Sequence, residues 1–282
     1  MLIETTFAPA GWRAGLTLQF ARRGSASVLT QRRHYGPLRV QKALYPEGDA
    51  ICHAILLHPP AGIAGGDELD ISITVEQNAH ALLTTPGAGK WYRSSGPQAR
   101  LALNIEVAAG GLLEWLPQET IFFSGCRATI HNCITLAADA RYLGWDVWCM
   151  GRSASGERFD QGELWIATDI RLADMPLWIE QGHIAGGSPL LHSSAGFAGR
   201  SVCGTLLAAG VTIAPELLAA CRAVLPSERD ALYGITVLPQ LLVVRYLGHS
   251  SEAARAWFVD LWRLLRPALY GCEVQLPRIW ST

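Results

Sequence analysis

HALLTTPGAGKW, residues 80–91, reads as a strand followed by a turn, and similar units recur further along the chain. Its first half is apolar, and Pro86 and Gly87 favour a turn directly after it. A phosphate-binding loop would need Gly at position 84 and Ser or Thr at position 91. Thr84 and Trp91 occupy these positions. We therefore interpret the stretch as a turn that closes a strand, and not as a nucleotide site.

Four similar units follow one another along the chain. They start at Val75, Val107, Leu136 and Leu172, at steps of 32, 29 and 36 residues, which is the range of solenoid repeats. Apolar and polar residues alternate before these starts, as in LDISITV at 69–75, and this period of two is typical of half-buried strands. Four ordinary hairpins of a sandwich are the alternative. The pattern favours a mostly β fold of stacked β-layers, similar to a β-helix solenoid.

Helical periodicity appears only in the C-terminal third. Pro215 begins a predicted helix over about 215–225, and Ser250 or Ser251 caps a second over about 251–266, before Pro267. The second helix has an apolar stripe typical of core packing. We predict one domain over residues 1–282, with the β-stack at about 12–213 and 233–247. The stripe consists of Ala254, Trp257, Phe258, Leu261, Trp262 and Leu265.

Composition limits the classes of partner. The formal net charge is −1 and there is no basic tail, which argues against nucleic acid. Charged residues make up 17% of the chain and there are ten Trp, so we infer that another protein covers part of the surface. A large core that buries the Trp residues is the alternative interpretation.

Cysteine spacing and hydropathy indicate the cellular compartment of the protein. The seven Cys are scattered without a C-x-x-C, and Met1–Thr6 lack a signal-peptide pattern. No apolar stretch is long enough to cross a bilayer. The sequence predicts a cytoplasmic protein that has no membrane partner.

Two groups of residues suggest chemistry. Cys52, His53 and His58 are close in sequence, but alternate strand residues point to opposite faces, which favours a structural role. Glu114 and Glu119 lie in an apolar run and are either paired inside the protein or exposed at an edge. As an acid and base pair they would suit a carbohydrate-active β-solenoid enzyme, which is our alternative function.

Several long motifs run along the chain: GPLRVQK (36–42), LHPPAGIAGGD (57–67), LTTPGAGKWYRS (83–94), EWLPQET (114–120), GERF (156–159) and LPRIW (276–280). Together they resemble the urease accessory protein UreD (UreH) family. The resemblance implies a non-catalytic scaffold that binds UreF, UreG and apo-urease while nickel is delivered, with GTP hydrolysis in UreG and no tightly bound cofactor here. It also implies a β-helix-like stack with two helices.

Carboxylates at matching offsets in the repeat suggest a route for nickel. Thr85 and Asp146 lie ten residues after Val75 and Leu136, and Glu180 lies eight residues after Leu172, with the same parity. We predict that these three residues form one row and, with Asp67, line a hydrated passage for Ni²⁺ in transit. Isolated carboxylates suit transit because they lack the His/Cys ligands that would retain nickel. Asp146 and Glu180 as hydrogen-bonded or edge carboxylates are the alternative.

Overall fold

Three layers make up the protein in a computed structural model that describes residues 11–281. A seven-stranded sheet packs on a ten-stranded sheet, and two helices cover the other face of the ten-stranded sheet. The predicted mostly β stack with two late helices is confirmed. Residues 1–10, including the segment considered for a signal peptide, and residue 282 lie outside the described residues.

The strands are numbered in chain order over the described residues. They are β1 Arg13–Arg23, β2 Ala26–Tyr35, β3 Arg39–Val40, β4 Cys52–Leu57, β5 Glu68–Val75, β6 His80–Thr84, β7 Gly89–Trp91, β8 Ala99–Val107, β9 Leu112–Leu116, β10 Thr120–Phe122, β11 Arg127–Leu136, β12 Arg141–Met150, β13 Glu163–Leu172, β14 Met175–Ala185, β15 Val202–Ala209, β16 Leu232–Leu238 and β17 Leu241–Gly248.

The chain alternates between the two sheets as it winds. The seven-stranded sheet has the order β14-β13-β11-β8-β5-β1-β2, and the main path of the other is β16-β17-β15-β12-β9-β6-β4-β3. Strand β10 pairs with β12, and β7 pairs with β10. Strands β5, β8, β11 and β13 are parallel, and so are β4, β6, β9 and β12. Each repeat therefore adds one strand to each sheet.

The predicted repeat starts lie in register on neighbouring strands. Val107 pairs with Val75 on one side and with Leu136 on the other, and Leu136 pairs with Leu172. All four residues are buried between the sheets. The spacing in the sequence thus corresponds to one turn of the stack.

The burial pattern of a strand depends on which of the two sheets it belongs to. In β5 the apolar residues face the other sheet and the polar residues between them face outward, which gives the alternating pattern. Strands β4 and β6 are buried along nearly their whole length because their sheet is covered on both faces.

The repeat ends in a hairpin. Ala173 and Asp174, both with positive φ (48° and 65°), reverse the chain so that β14 runs antiparallel to β13 in the same sheet. Strands β15, β17 and β16 then extend the ten-stranded sheet by antiparallel pairing.

Two α-helices lie where the periodicity predicts them. Helix α1 spans Pro215–Ala223 and helix α2 spans Ser251–Tyr270, with the Ser250 side chain accepting the Ala253 N–H at 3.0 Å. The predicted stripe of α2 is buried against the ten-stranded sheet. The predicted end of α2 before Pro267 is wrong. A proline removes only one helical hydrogen bond, and the buried Leu269 together with the left-handed Gly271 carries the end of the helix one turn further.

A fully buried ion pair holds α2 on the ten-stranded sheet. The Arg266 Nε donates to both oxygens of Glu114 at 3.1 and 3.0 Å, and Trp262 Nε1 donates to Glu114 at 2.6 Å. His80 Nε2 lies 2.7 Å from the same carboxylate, and Arg266 also pairs with Glu47 at 2.9 Å. Burial acts to raise the pKa of Glu114, but His80 and Arg266 outweigh it and hold that pKa below its ordinary value.

We expect Glu114→Ala to lower the free energy of unfolding by about 3–5 kcal/mol, because it leaves part of the buried Arg266 charge uncompensated. Urea denaturation at neutral pH measures the change. Asp70→Ala is the matched control, since Asp70 pairs with Arg100 on the exposed outer face and should cost about 0–1 kcal/mol. Equal losses for the two variants would contradict the assigned role of Glu114.

Candidate functional site

Two adjoining cavities lie between the sheets. The larger has a volume of about 460 Å³ and is bordered by residues of the Leu57–Ile63 loop and of the Thr85–Trp91 turn. The smaller, of about 20 Å³, has room for about one water molecule. Both are bordered by the same five residues, so little more than side chains separates them. These are Leu103, Trp115, Asn132, Asp146 and Trp148.

Asp146 is the carboxylate that borders both cavities. It lies on the face of β12 that carries Tyr142 and Trp148, toward the seven-stranded sheet, whereas Trp145 and Val147 face α2. Among residues 11–281 its carboxylate accepts no hydrogen bond and forms no ion pair. Burial raises the pKa of Asp146 to about 6, and the nearby Glu180 carboxylate adds to this increase. Asp146 is therefore an interior anion whose remaining exposed surface faces the cavities.

Glu180 reaches the smaller cavity from the opposite sheet. The prediction that it lies in one row with Thr85 and Asp146 is wrong, because the hairpin after β13 keeps β14 in the seven-stranded sheet. Its side chain nevertheless borders the same cavity as Asp146. One carboxylate oxygen of Glu180 accepts a hydrogen bond of 2.6 Å from Arg245 Nη2 of β17.

Thr85 borders the larger cavity together with Asp146, directly after β6. Its hydroxyl accepts the Gln118 N–H at 2.9 Å and donates to the Gly87 carbonyl at 3.2 Å. These bonds fix the turn that follows the strand. The hydroxyl is thus held by the backbone at the wall of the cavity.

Asp67 stabilises the glycine-rich turn at 62–67 and does not border either cavity. Its two carboxylate oxygens accept the backbone N–H groups of Trp12 and Ala64, each at 2.8 Å. The side chain is buried, and these bonds join the turn before β5 to the start of β1. The structure therefore brings Thr85, Asp146 and Glu180 to the cavities and leaves Asp67 outside them.

His58 is a cavity residue that the sequence analysis assigned to a structural role. It borders the larger cavity, and its buried Nε2 has no hydrogen-bond partner among the described residues. Burial lowers the pKa of His58, against the opposing charge of Asp67, so its imidazole is neutral at pH 7. His53, in contrast, bonds Glu47 at 2.6 Å. The missing partner of Nε2 is visible only in three dimensions.

The other acidic pair of the sequence does not form a common site. Glu114 is fully buried and bonded to Arg266, Trp262 and His80, whereas Glu119 lies 3.4 Å from Arg255. Each carboxylate is thus held by different groups of the protein. Over residues 11–281, three or more His, Cys, Asp or Glu side chains are nowhere grouped to hold a metal ion.

Comparison with known proteins gives the family. A family model described as the UreD urease accessory protein matches residues 13–281. The chain belongs to the UreD family.

Similar proteins cover nearly the whole chain. The urease accessory protein UreD of Dechloromonas aromatica (strain RCB) is 54% identical over 274 residues, which are 96% of this chain and 95% of that protein. Its counterpart in Pseudomonas fluorescens (strain Pf0-1) is 51% identical over 280 residues, 99% of each chain. The counterpart in Azoarcus sp. (strain BH72) is 50% identical over 275 residues, 98% of this chain and 96% of that one. The family resemblance found in the sequence motifs is confirmed.

The family places the chain among urease accessory proteins, as its motifs predict. In the part of the chain that the structure describes, no helix has the length and apolar character needed to cross a membrane.

We expect Asp146→Asn to stabilise the protein above pH 7 by about 1–3 kcal/mol. The pKa of Asp146 rises on folding from 3.8 to about 6, so the folded state binds more protons than the unfolded state between these values. Stability therefore falls as the pH rises through that window, and a neutral amide avoids this loss. Urea denaturation at pH 4 and pH 8 measures both variants.

The stabilisation by Asp146→Asn should disappear at pH 4, where the wild-type side chain is protonated in the folded protein. Asp70→Asn, on the exposed outer face, is the control and should show no such gain at pH 8. A destabilised Asp146→Asn protein at pH 8 would show that protein groups satisfy the carboxylate.

Proposed function

We propose that this chain is a non-catalytic scaffold for urease metallocentre assembly in the cytoplasm. It binds UreF, UreG and the urease apoenzyme, and Ni²⁺ passes through its interior as cargo on the way to urease. The observation that carries the proposal is the Asp146 carboxylate, which lies between the two sheets, unbonded, at the junction of two cavities.

The state of Asp146 supports a cation route. A buried carboxylate is costly unless water, a hydrogen bond or a cation compensates its charge. The described part of the protein supplies no such bond, and the side chain is only partly buried, so water or a cation in the cavities can compensate its charge. Glu180, at the other side of the smaller cavity, adds a second anion. Two carboxylates beside a cavity with room for about one water molecule attract a divalent cation without surrounding it.

The donor types along the cavities favour passage over storage. Asp146 and Glu180 offer oxygen atoms, and His58, which borders the larger cavity, offers one neutral nitrogen. Nickel binds tightly to sites that combine several imidazole or thiolate ligands, and isolated oxygen ligands bind it weakly. A weakly held cation can leave as readily as it enters.

The surface supports a role in a protein complex. Four large apolar side chains, on β16 and just after α1, are 40–65% exposed, and exposed apolar surface can form part of a protein interface. This distribution agrees with the low charge content of the chain. These side chains are Leu225, Leu232, Tyr233 and Leu238.

No comparable observation favours the carbohydrate-active enzyme. Glu114 would have to reach a glycan as acid or base, yet its side chain is fully buried and bonded by Arg266 and Trp262. The scaffold is the function that the geometry supports.

We expect the double variant Asp146→Ala/Glu180→Ala to keep its partners and to lose urease activation. Activation should fall roughly tenfold or more, since about 1.4 kcal/mol of lost cation stabilisation changes occupancy tenfold. The variant is co-expressed with the urease subunits, UreF and UreG. Urease activity, nickel bound to purified urease and co-purification of the complex are measured together.

Glu68→Ala/Glu163→Ala is the matched control. It also removes two carboxylates, but from exposed ion pairs with Arg13 and Arg127 on the outer face. It should leave activation unchanged. Normal activation by a folded Asp146→Ala/Glu180→Ala protein would rule out the passage, and loss of co-purification would show that the two residues serve complex formation instead.

A further inference from the structure

A positive charge pairs with Glu180 beside the smaller cavity. Arg245 lies on the face of β17 that is directed toward the seven-stranded sheet, next to Leu241 and Val243 in alternation. Its Nη2 donates to Glu180 Oε1 at 2.6 Å, and its Nη1 donates to Thr205 Oγ1 at 2.6 Å. The guanidinium thus joins the two sheets beside the smaller cavity, which both Glu180 and Thr205 border.

From this geometry we infer that Arg245 is the gate at this end of the passage. Its guanidinium occupies the place of a cation on Glu180, and an arriving divalent cation displaces it. The inference rests on the proposed function, since it concerns how the same passage is closed. Nothing in the sequence motifs or in the family assignment gives Arg245 this role.

The solvent exposure of the Arg245–Glu180 ion pair is consistent with a contact that can break. The side chains of Arg245 and Glu180 are 42% and 35% exposed, so this end of the cavities lies at the protein surface. Exposed ion pairs contribute little net stability and exchange readily, whereas a buried pair such as Arg266–Glu114 is held in place. Of these two arginine–glutamate pairs, only the exposed one can separate at little cost.

Arg245 has other contacts that remain when Glu180 is released. Its hydrogen bond to Thr205 connects neighbouring strands of the ten-stranded sheet, and its guanidinium carbon lies 5.5 Å from the centre of the Trp178 ring. A cation on Glu180 repels the guanidinium, and these contacts together with solvent can receive it. The displacement therefore requires a side-chain movement and no change in the sheets.

The test is direct Ni²⁺ binding to the purified full-length chain, measured by equilibrium dialysis. Arg245→Met removes the charge and keeps a similar length, so Glu180 becomes free to bind a cation. We expect the apparent affinity for Ni²⁺ to rise at least about threefold, within the range that loss of an exposed ion pair allows. In the Glu180→Gln background, the same Arg245→Met change should have no effect.

Two controls separate the gate from general electrostatics and from folding. Arg100→Met removes an exposed arginine paired with Asp70 on the outer face, so it should leave Ni²⁺ binding unchanged. Thermal unfolding in the presence of a chelator should be the same for Arg245→Met and Arg100→Met. An equal rise in affinity for both variants would overturn the gate.

The other outcomes of these measurements decide between the gate and the passage. An unchanged or absent Ni²⁺ affinity in Arg245→Met, or a rise that persists with Glu180→Gln, overturns the gate. If Asp146→Ala/Glu180→Ala still fails to activate urease in that case, the passage stands without this gate. If that double variant activates urease normally, the proposed passage itself is wrong, whatever Arg245 does to Ni²⁺ binding.

Discussion

The ten-stranded sheet is covered on both faces, and this constraint decides where its charges can be. One face packs on the seven-stranded sheet and the other on the two helices. A carboxylate on either face must therefore be compensated inside the protein. Glu114, on the helix face, is saturated by Arg266, Trp262 and His80. Asp146, on the other face, has no such partners among the described residues and borders a cavity instead.

These two carboxylates show how one sheet can hold a fully bonded charge on one face and a charge without hydrogen bonds from the described residues on the other. The contacts of Glu114 hold helix α2 on the sheet, and they leave neither carboxylate oxygen available to a ligand. The lack of contacts at Asp146 costs stability, as its raised pKa indicates, and leaves an anion available in the interior. Residues that weaken a fold while facing a cavity are candidates for function.

Much of the fold could be predicted because burial repeats with the chain. Val75, Val107, Leu136 and Leu172 are apolar for the same reason, since each occupies the same level of the stack. Glu180 was predicted in the wrong sheet. The last repeat, from Leu136 to Leu172, is about as long as the others, but the chain turns back after β13 and stays in the seven-stranded sheet. Arg245 was missed for another reason. Its contact with Glu180 joins residues 65 apart, and only the stacking of the sheets brings them together.

The pairing of Glu114 with Arg266 has a consequence for how the chain folds during synthesis. The two residues are 152 positions apart, so the strand that carries the carboxylate is made long before the guanidinium. Until α2 emerges, His80 is in place beside the Glu114 carboxylate, but Arg266 and Trp262, which both lie on α2, are still missing. The ten-stranded sheet therefore cannot reach its final stability strand by strand, and a partly made chain exposes apolar sheet surface. The ten-stranded sheet therefore reaches its final stability only when α2 has been made and has packed on it.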